Sequence, residues 1–383
     1  MAHTRRYDLD WLRVGVFALL IFYHVGMFFV PWGWHIKNDI IYPELRWPML
    51  FVNQWRLPIL FVISGMGTYY AYGLRSPGAY AKERLYRLYI PLAFGMLFIV
   101  PPQIYIERLA TGAFNGSYFD FWPMHAFSGG PYPDGNISWH HLWFLPYLLI
   151  FSLILARPFK RLRERPSRIV TWVKNWLSTP WGWLYFCIPL FLYEVLLEPF
   201  FNVTHALIGD WFALASFGSL FFFGFLLISA GDVFWEHVRK YRKRNFLMGC
   251  FLFASLIFVW YFEDGLARHL VEGALKVVNI WTWIFVLFGY ASVWLNKPSA
   301  LLSYCNRAVY PFYILHQTIT VILAYYLMDV DLGLFWEFTL LTVGTFGISW
   351  LLYHFLIRPV RLLHPVFGLK RRKSIPVSEP VGK

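Results

Sequence analysis

The chain has 383 residues, of which 58% are hydrophobic and 14% charged, well below the roughly one quarter charged that soluble domains carry. That composition excludes an ordinary soluble domain. It leaves an all-α fold class, one polytopic bundle of membrane helices over residues 1–370 and a basic tail at 371–383. A net charge of +13 would by itself admit a nucleic-acid partner, and the distribution of that charge excludes one.

Apolar windows predict ten helices, near 11–31, 48–74, 89–108, 139–157, 180–200, 207–231, 244–262, 273–295, 306–328 and 334–357. Twenty Trp, 24 Tyr and 39 Phe suit aromatic belts at both membrane surfaces. Arg5 and Arg6 resemble the start of a signal peptide, but Asp8 and Asp10 follow and the apolar run is too long for one. Of the 34 Lys and Arg, 28 fall in alternate connections: the N-terminal region through Arg13, 75–87, 157–174, 239–244, Lys297 with Arg307, and the stretch from Arg358. The positive-inside rule therefore expects both termini in the cytoplasm. The run RPFKRLRERPSR reads as a topology signal that attracts anionic lipid. Cys187, Cys250 and Cys305 have neither metal-ligand spacing nor a disulfide framework, so no metal is expected.

Helix one contains Arg13 and His24. Eleven residues at ~100° each make about three turns, so both side chains point to one helix face, ~16 Å apart along the axis. Ionisable groups inside a membrane span mark function by default. The plainer alternative is that Arg13 snorkels to the surface and His24 merely packs. In helix two, Arg56 requires an anionic or carbonyl partner, either a carboxylate such as Glu194 or Glu198 or a substrate group. Ser64-Gly65 permits close helix approach or lines a channel.

The next connection carries Lys82, Arg84 and Arg87. Arg84 and Arg87 are three apart and face one side of a helix. They are either ordinary positive-inside residues or a phosphate clamp for a carrier such as coenzyme A. The longest connection on the other side, about 109–138, is rich in Gly, Pro and aromatics, suited to stacking on sugars or to the headgroup layer. Helix four opens with His140, His141 and Trp143 near the depth of His24. In helix nine His316 falls near mid-membrane, one turn after Tyr313. Glu272 and Lys276 form an i,i+4 pair in helix eight. No phosphate loop, dinucleotide fingerprint, nucleophile elbow or zinc HExxH motif is present.

In order and spacing these elements resemble the type 3 acyltransferase family, multi-pass proteins that acylate extracytoplasmic glycans. Arg13 and His24 match its Arg-x10-His mark, Arg84 and Arg87 its cytoplasmic R-x-x-R, Ser64-Gly65 its second-helix SG, and His316 its late FYILHQ. The resemblance covers nearly the whole chain. LDWLR, Arg56 in WRLPILFVISG and HLWFL at 141–145 look most like the periplasmic glucan succinyltransferase branch. The C-terminal esterase-like domain of some relatives is not expected.

The resemblance implies a multi-pass protein of a bacterial inner membrane. It implies acyl-CoA, acetyl or succinyl, as co-substrate with no permanently bound cofactor. Arg84, Arg87, Lys82 and Ser64 would hold the donor. His24 would be the base or the acylated nucleophile, assisted by Arg13, Arg56 and His316. His140, His141 and Trp143 would meet the glycan acceptor. A secondary transporter for a glycan precursor or organic anion would also bury Arg and His, but should show repeated broken helices. A scaffold would have no need of these groups in the membrane.

Overall fold

The first helix, α1 (Tyr7–Met27), begins with Asp8 and Asp10, acidic side chains that complement the positive end of a helix dipole. Arg6 pairs with the buried Asp8 and lies over the Trp235 ring, 3.5 Å from its centroid. The computed structural model describes residues 5–73, 75–165 and 167–369. The tail expected at 371–383 lies outside the described residues.

The helices that build the bundle are then α2 (Arg46–Tyr72), α3 (Pro77–Ala110), α4 (His140–Ile154), α5 (Ala156–Glu164), α6 (Arg168–Leu177) and α7 (Gly182–Leu196). After them come α8 (Trp211–Ser229), α9 (Asp232–Val259), α10 (Leu266–Trp294), α11 (Ala300–Leu327) and α12 (Leu334–Ile357). Helix α3 is loosened by π-helical turns at Leu85–Tyr89 and Gly95–Ile99. Helices α1, α2, α3, α8, α10, α11 and α12 are each long and apolar enough to cross a membrane. The pair α4 and α5, bent by 54°, makes an eighth span if taken together. The protein is an all-α polytopic membrane protein.

The segments expected at 180–200 and 244–262 are helical as well, but neither meets that standard. Helix α7 is short, and α9 opens with a charged run from Asp232 to Arg244 that leaves its second half as the apolar part. Apolar windows locate helices; whether a helix reaches both surfaces depends on its length and on where its charges sit.

Helices α2 and α8 cross backbone against backbone. A Cβ on Gly65 would lie 1.9 Å from the Phe221 carbonyl oxygen, and one on Gly224 would lie 2.1 Å from that of Val62. Small residues allow such approach in membranes. Ser64-Gly65 is therefore part of a tight crossing, the packing alternative raised by its sequence. Phe61, Phe225, Phe285 and Ile314 are fully buried in the core that surrounds this crossing.

Both ends of the bundle share one face. The Tyr7 N–H donates to Asn296 Oδ1 (3.0 Å), Tyr304 hydroxyl and His354 Nδ1 are 2.9 Å apart, and Arg358 lies over the Tyr304 ring. Arg163 of the basic α5 donates to the Tyr69 carbonyl on the same face. These basic segments lie on one side, here called the terminal face.

Candidate active site

Helix α1 presents Phe17, Leu20 and His24 along one face, and all three line a cavity of about 330 Å³. The cavity starts one turn beyond Arg13 and runs away from the terminal face. It reaches Trp34 and His35 after α1, His140, His141 and Trp143 at the head of α4, and His205 before α8. Arg56 closes another wall from α2. The structure thus brings His24, Arg56, His140, His141 and Trp143 together. His316 stands directly behind His24, while Arg13, Lys82, Arg84 and Arg87 remain near the terminal face. Ser64 does not line the cavity.

His24 and His316 form the center of the site. His24 Nδ1 and His316 Nε2 are 2.9 Å apart, with the two rings nearly parallel. His316 Nδ1 faces two carbonyl oxygens, Tyr313 at 2.8 Å and Phe312 at 3.1 Å. Carbonyls only accept, so His316 carries its proton on Nδ1. A neutral His316 therefore offers a lone pair at Nε2, and His24 Nδ1–H donates to it. That fixes His24 Nε2 as a bare lone pair on a ring that lines the cavity. It is the arrangement of a general base held in one tautomer by a second group.

Arg56 is 4% exposed and its guanidinium lies 3.6 Å from the Tyr23 ring centroid. Its Nη2 reaches Asn53 Oδ1 at 3.4 Å, but Nε and Nη1 are buried without a partner. Glu194, one carboxylate considered for it, holds Lys276 at 2.8 Å instead. The expected Glu272–Lys276 pair is accordingly replaced: Glu272 accepts from Trp260 Nε1 and faces Arg268. The Tyr23 side chain also hydrogen-bonds this guanidinium, and its two unpaired donors suit an anion or a polarised carbonyl.

A polar network backs the cavity. His141 Nε2–H donates to the Ile314 carbonyl at 3.0 Å, and Gln103 Nε2 approaches His141 Nδ1 at 3.4 Å. Gln317 Nε2 donates to Gln103 Oε1 (3.0 Å) and to His35 Nε2 (3.1 Å). His35 in turn meets Glu107 at 2.5 Å. His205 stacks on Trp143 with ring centroids 3.9 Å apart, and its loop is tied down by Asp210, which accepts from the His205 N–H. Burial lowers the His205 imidazole to about 4, so it is a neutral wall at ordinary pH.

Sequence reasoning missed His35, Gln103, Glu107, His205 and Gln317. Gln103 and Glu107 carried a usable signal, because two polar residues one turn apart lay inside an expected span. His35 and His205 lie in loops, where a histidine carries no such signal.

A family model described as an acyltransferase domain of type 3 matches residues 6–354. The chain belongs to this acyltransferase family. Among its curated relatives are proteins named glucans biosynthesis protein C from Escherichia coli O6:K15:H31 (strain 536 / UPEC), Shigella dysenteriae serotype 1 (strain Sd197) and Escherichia coli O9:H4 (strain HS). Each is 24% identical over 382 residues, covering 96% of this chain and 95% of the relative. No solved structure matches the chain.

The acyltransferase also concentrates cations at the terminal face. Arg13 bonds Asn306 and faces Asp10 at 3.5 Å, and its charge is close enough to Arg87 for the two to repel. Glu83 lies 3.5 Å from both Arg84 and Arg87 and 3.2 Å from Arg75, so one carboxylate is shared among three guanidinium groups. The Tyr310 hydroxyl donates to the Arg87 carbonyl and ties this segment to α11. Nε of Arg13, of Arg84 and of Arg87 is buried without a partner. Lys82 is exposed.

Proposed function

We propose that this acyltransferase moves an acetyl or succinyl group from cytoplasmic acyl-CoA to a hydroxyl of an extracytoplasmic glycan. The observation that carries the reading is the bare Nε2 of His24, oriented by His316, in a cavity that ends one turn from Arg13.

The terminal face is taken as cytoplasmic, in keeping with its basic charge. Arg84 and Arg87, with Arg13, supply guanidinium groups for the donor's phosphates. The pantetheine arm then follows α1 past Phe17 and Leu20 toward His24. An acceptor hydroxyl enters from the opposite side, between Trp143, His205 and Trp34. His24 Nε2 takes the hydroxyl proton as the oxygen attacks the thioester carbonyl. The resulting imidazolium donates through Nδ1 to His316. Collapse of the tetrahedral intermediate breaks the C–S bond, and His24 returns its proton to the thiolate. Arg56 stabilises the oxyanion, or pairs with the free carboxylate when the acyl group is succinyl.

Purified protein in nanodiscs, given acetyl-CoA or succinyl-CoA with a β-glucan oligosaccharide, tests the reading through product mass. A gain of one acetyl or one succinyl mass on the glucan supports it and names the donor. Glucan bound with no mass gain from either donor would contradict it in favor of a transporter for the same ligand.

A further inference from the structure

At the mouth of the cavity farthest from the terminal face, His35, Glu107 and His140 converge. One ligand-type atom from each lies within 4.8 Å of the others. Their chain positions are far apart: His35 follows α1, Glu107 is near the end of α3, and His140 opens α4. We propose that these three side chains form a binding site for a divalent cation of the zinc type, with its fourth position toward the cavity.

The donor set is the first argument. Two imidazoles and one carboxylate match a zinc site that keeps one coordination position open. Nitrogen donors favor zinc-like metals over calcium or magnesium. In a tetrahedral site, bond lengths near 2.0–2.1 Å put ligand atoms about 3.3 Å apart.

The second argument is that the site is short of positive charge. Glu107 is 9% exposed, yet no Lys or Arg pairs with it among the described residues. The adjacent Arg108 turns to the Pro133 and Gly135 carbonyls and to Asn136. Nε2 of His140 is buried with no partner, while its Nδ1 meets Ser138 Oγ at 2.8 Å. The unpartnered Nε2 belongs to a ring whose centroid lies only 4.6 Å from that of His35. A cation here would replace the proton through which His35 Nδ1 now meets Glu107 at 2.5 Å, and would also meet the unpartnered Nε2 of His140.

The third argument is support around the donors. The Tyr132 hydroxyl donates to both Glu107 oxygens, at 3.0 and 3.2 Å. Gln317 lies 3.1 Å from the second nitrogen of His35, where its amide, turned over, would offer an oxygen to the N–H of a metal-bound ring. Outer-shell partners of this kind hold metal ligands in place. A bound cation would tie three chain segments together at the cavity mouth and present an open position to a sugar hydroxyl or water.

The test needs no acyl donor, so its outcome is independent of the acyl-transfer reading. The full chain in detergent is stripped with a chelator, loaded with zinc, passed through gel filtration and assayed for metal. About one zinc per chain is expected for the wild type and for His125→Ala, an exposed histidine in the same outer connection. Glu107→Gln and His140→Ala should each fall below a tenth of that. Wild type holding no more zinc than the Glu107→Gln, His140→Ala double variant would overturn the site. If the variants fail to fold, cobalt(II) added to wild type decides instead. A four-coordinate visible absorption band displaced by one equivalent of zinc supports the proposal, and no such band overturns it.

Discussion

At the residue scale, the proposed mechanism has His316 act through His24 rather than on substrate. Its lone pair at Nε2 fixes the tautomer of His24. His316→Ala removes that acceptor and is expected to lower kcat by about 10²-fold with little change in the donor KM. His316→Gln, whose amide oxygen can accept the same N–H, should recover part of the loss. Steady-state kinetics on the two variants separate positioning from mere packing, because a packing role would not distinguish Gln from other residues of that size. His205 gives a pH-dependent signature. Its folded value near 4 lies below the ordinary 6.5 of a free imidazole, so the unfolded chain binds the extra proton between those limits. Stability contributed by the neutral ring is present above pH 6.5 and is lost as pH falls toward 4. Thermal unfolding of the wild type should therefore fall across pH 6.5 to 4 more steeply than that of His205→Gln.

At the element scale, the α2–α8 crossing positions Arg56. Gly65 has no room for a methyl group, because the nearest obstacle is backbone and cannot rotate away. Gly65→Ala should force the helices apart at a cost of about 1–3 kcal/mol. Gly67, two residues on, meets nothing within 4 Å, so Gly67→Ala should be neutral or stabilise by up to about 1 kcal/mol. Thermal unfolding of both variants checks the contrast. The same element shows what a sequence can and cannot display. Ser64-Gly65 announced close approach, but only the partner helix decides between a channel wall and a packed crossing. Arg56 was visible as an ionisable group in a span, while its lack of a carboxylate depends on where Glu194 ends up. Helix α9 was legible as a helix; its charged half sets how far its apolar part extends.

At the scale of the whole molecule, Arg13 and His24 were readable together because one helix carries both and its pitch fixes their relation. His24 and His316 were each readable, but their contact joins α1 to α11 across 292 positions and follows from packing. The trio of His35, Glu107 and His140 was not readable, since spacing rules for metal ligands search within short segments and these come from three. The division of the bundle into a cationic terminal face and a cavity opening from the other side follows the charge count along the chain. In the proposed mechanism it gives a donor and an acceptor separate approaches to one imidazole.

The most direct test of the account is thiol release by purified wild type and His24→Ala, each shown folded, with acetyl- or succinyl-CoA and a β-glucan oligosaccharide. The account predicts glucan-dependent release by the wild type and a loss of at least about 10²-fold in His24→Ala. Release at the wild-type rate from His24→Ala would contradict it, because the account assigns the proton transfer to His24 Nε2.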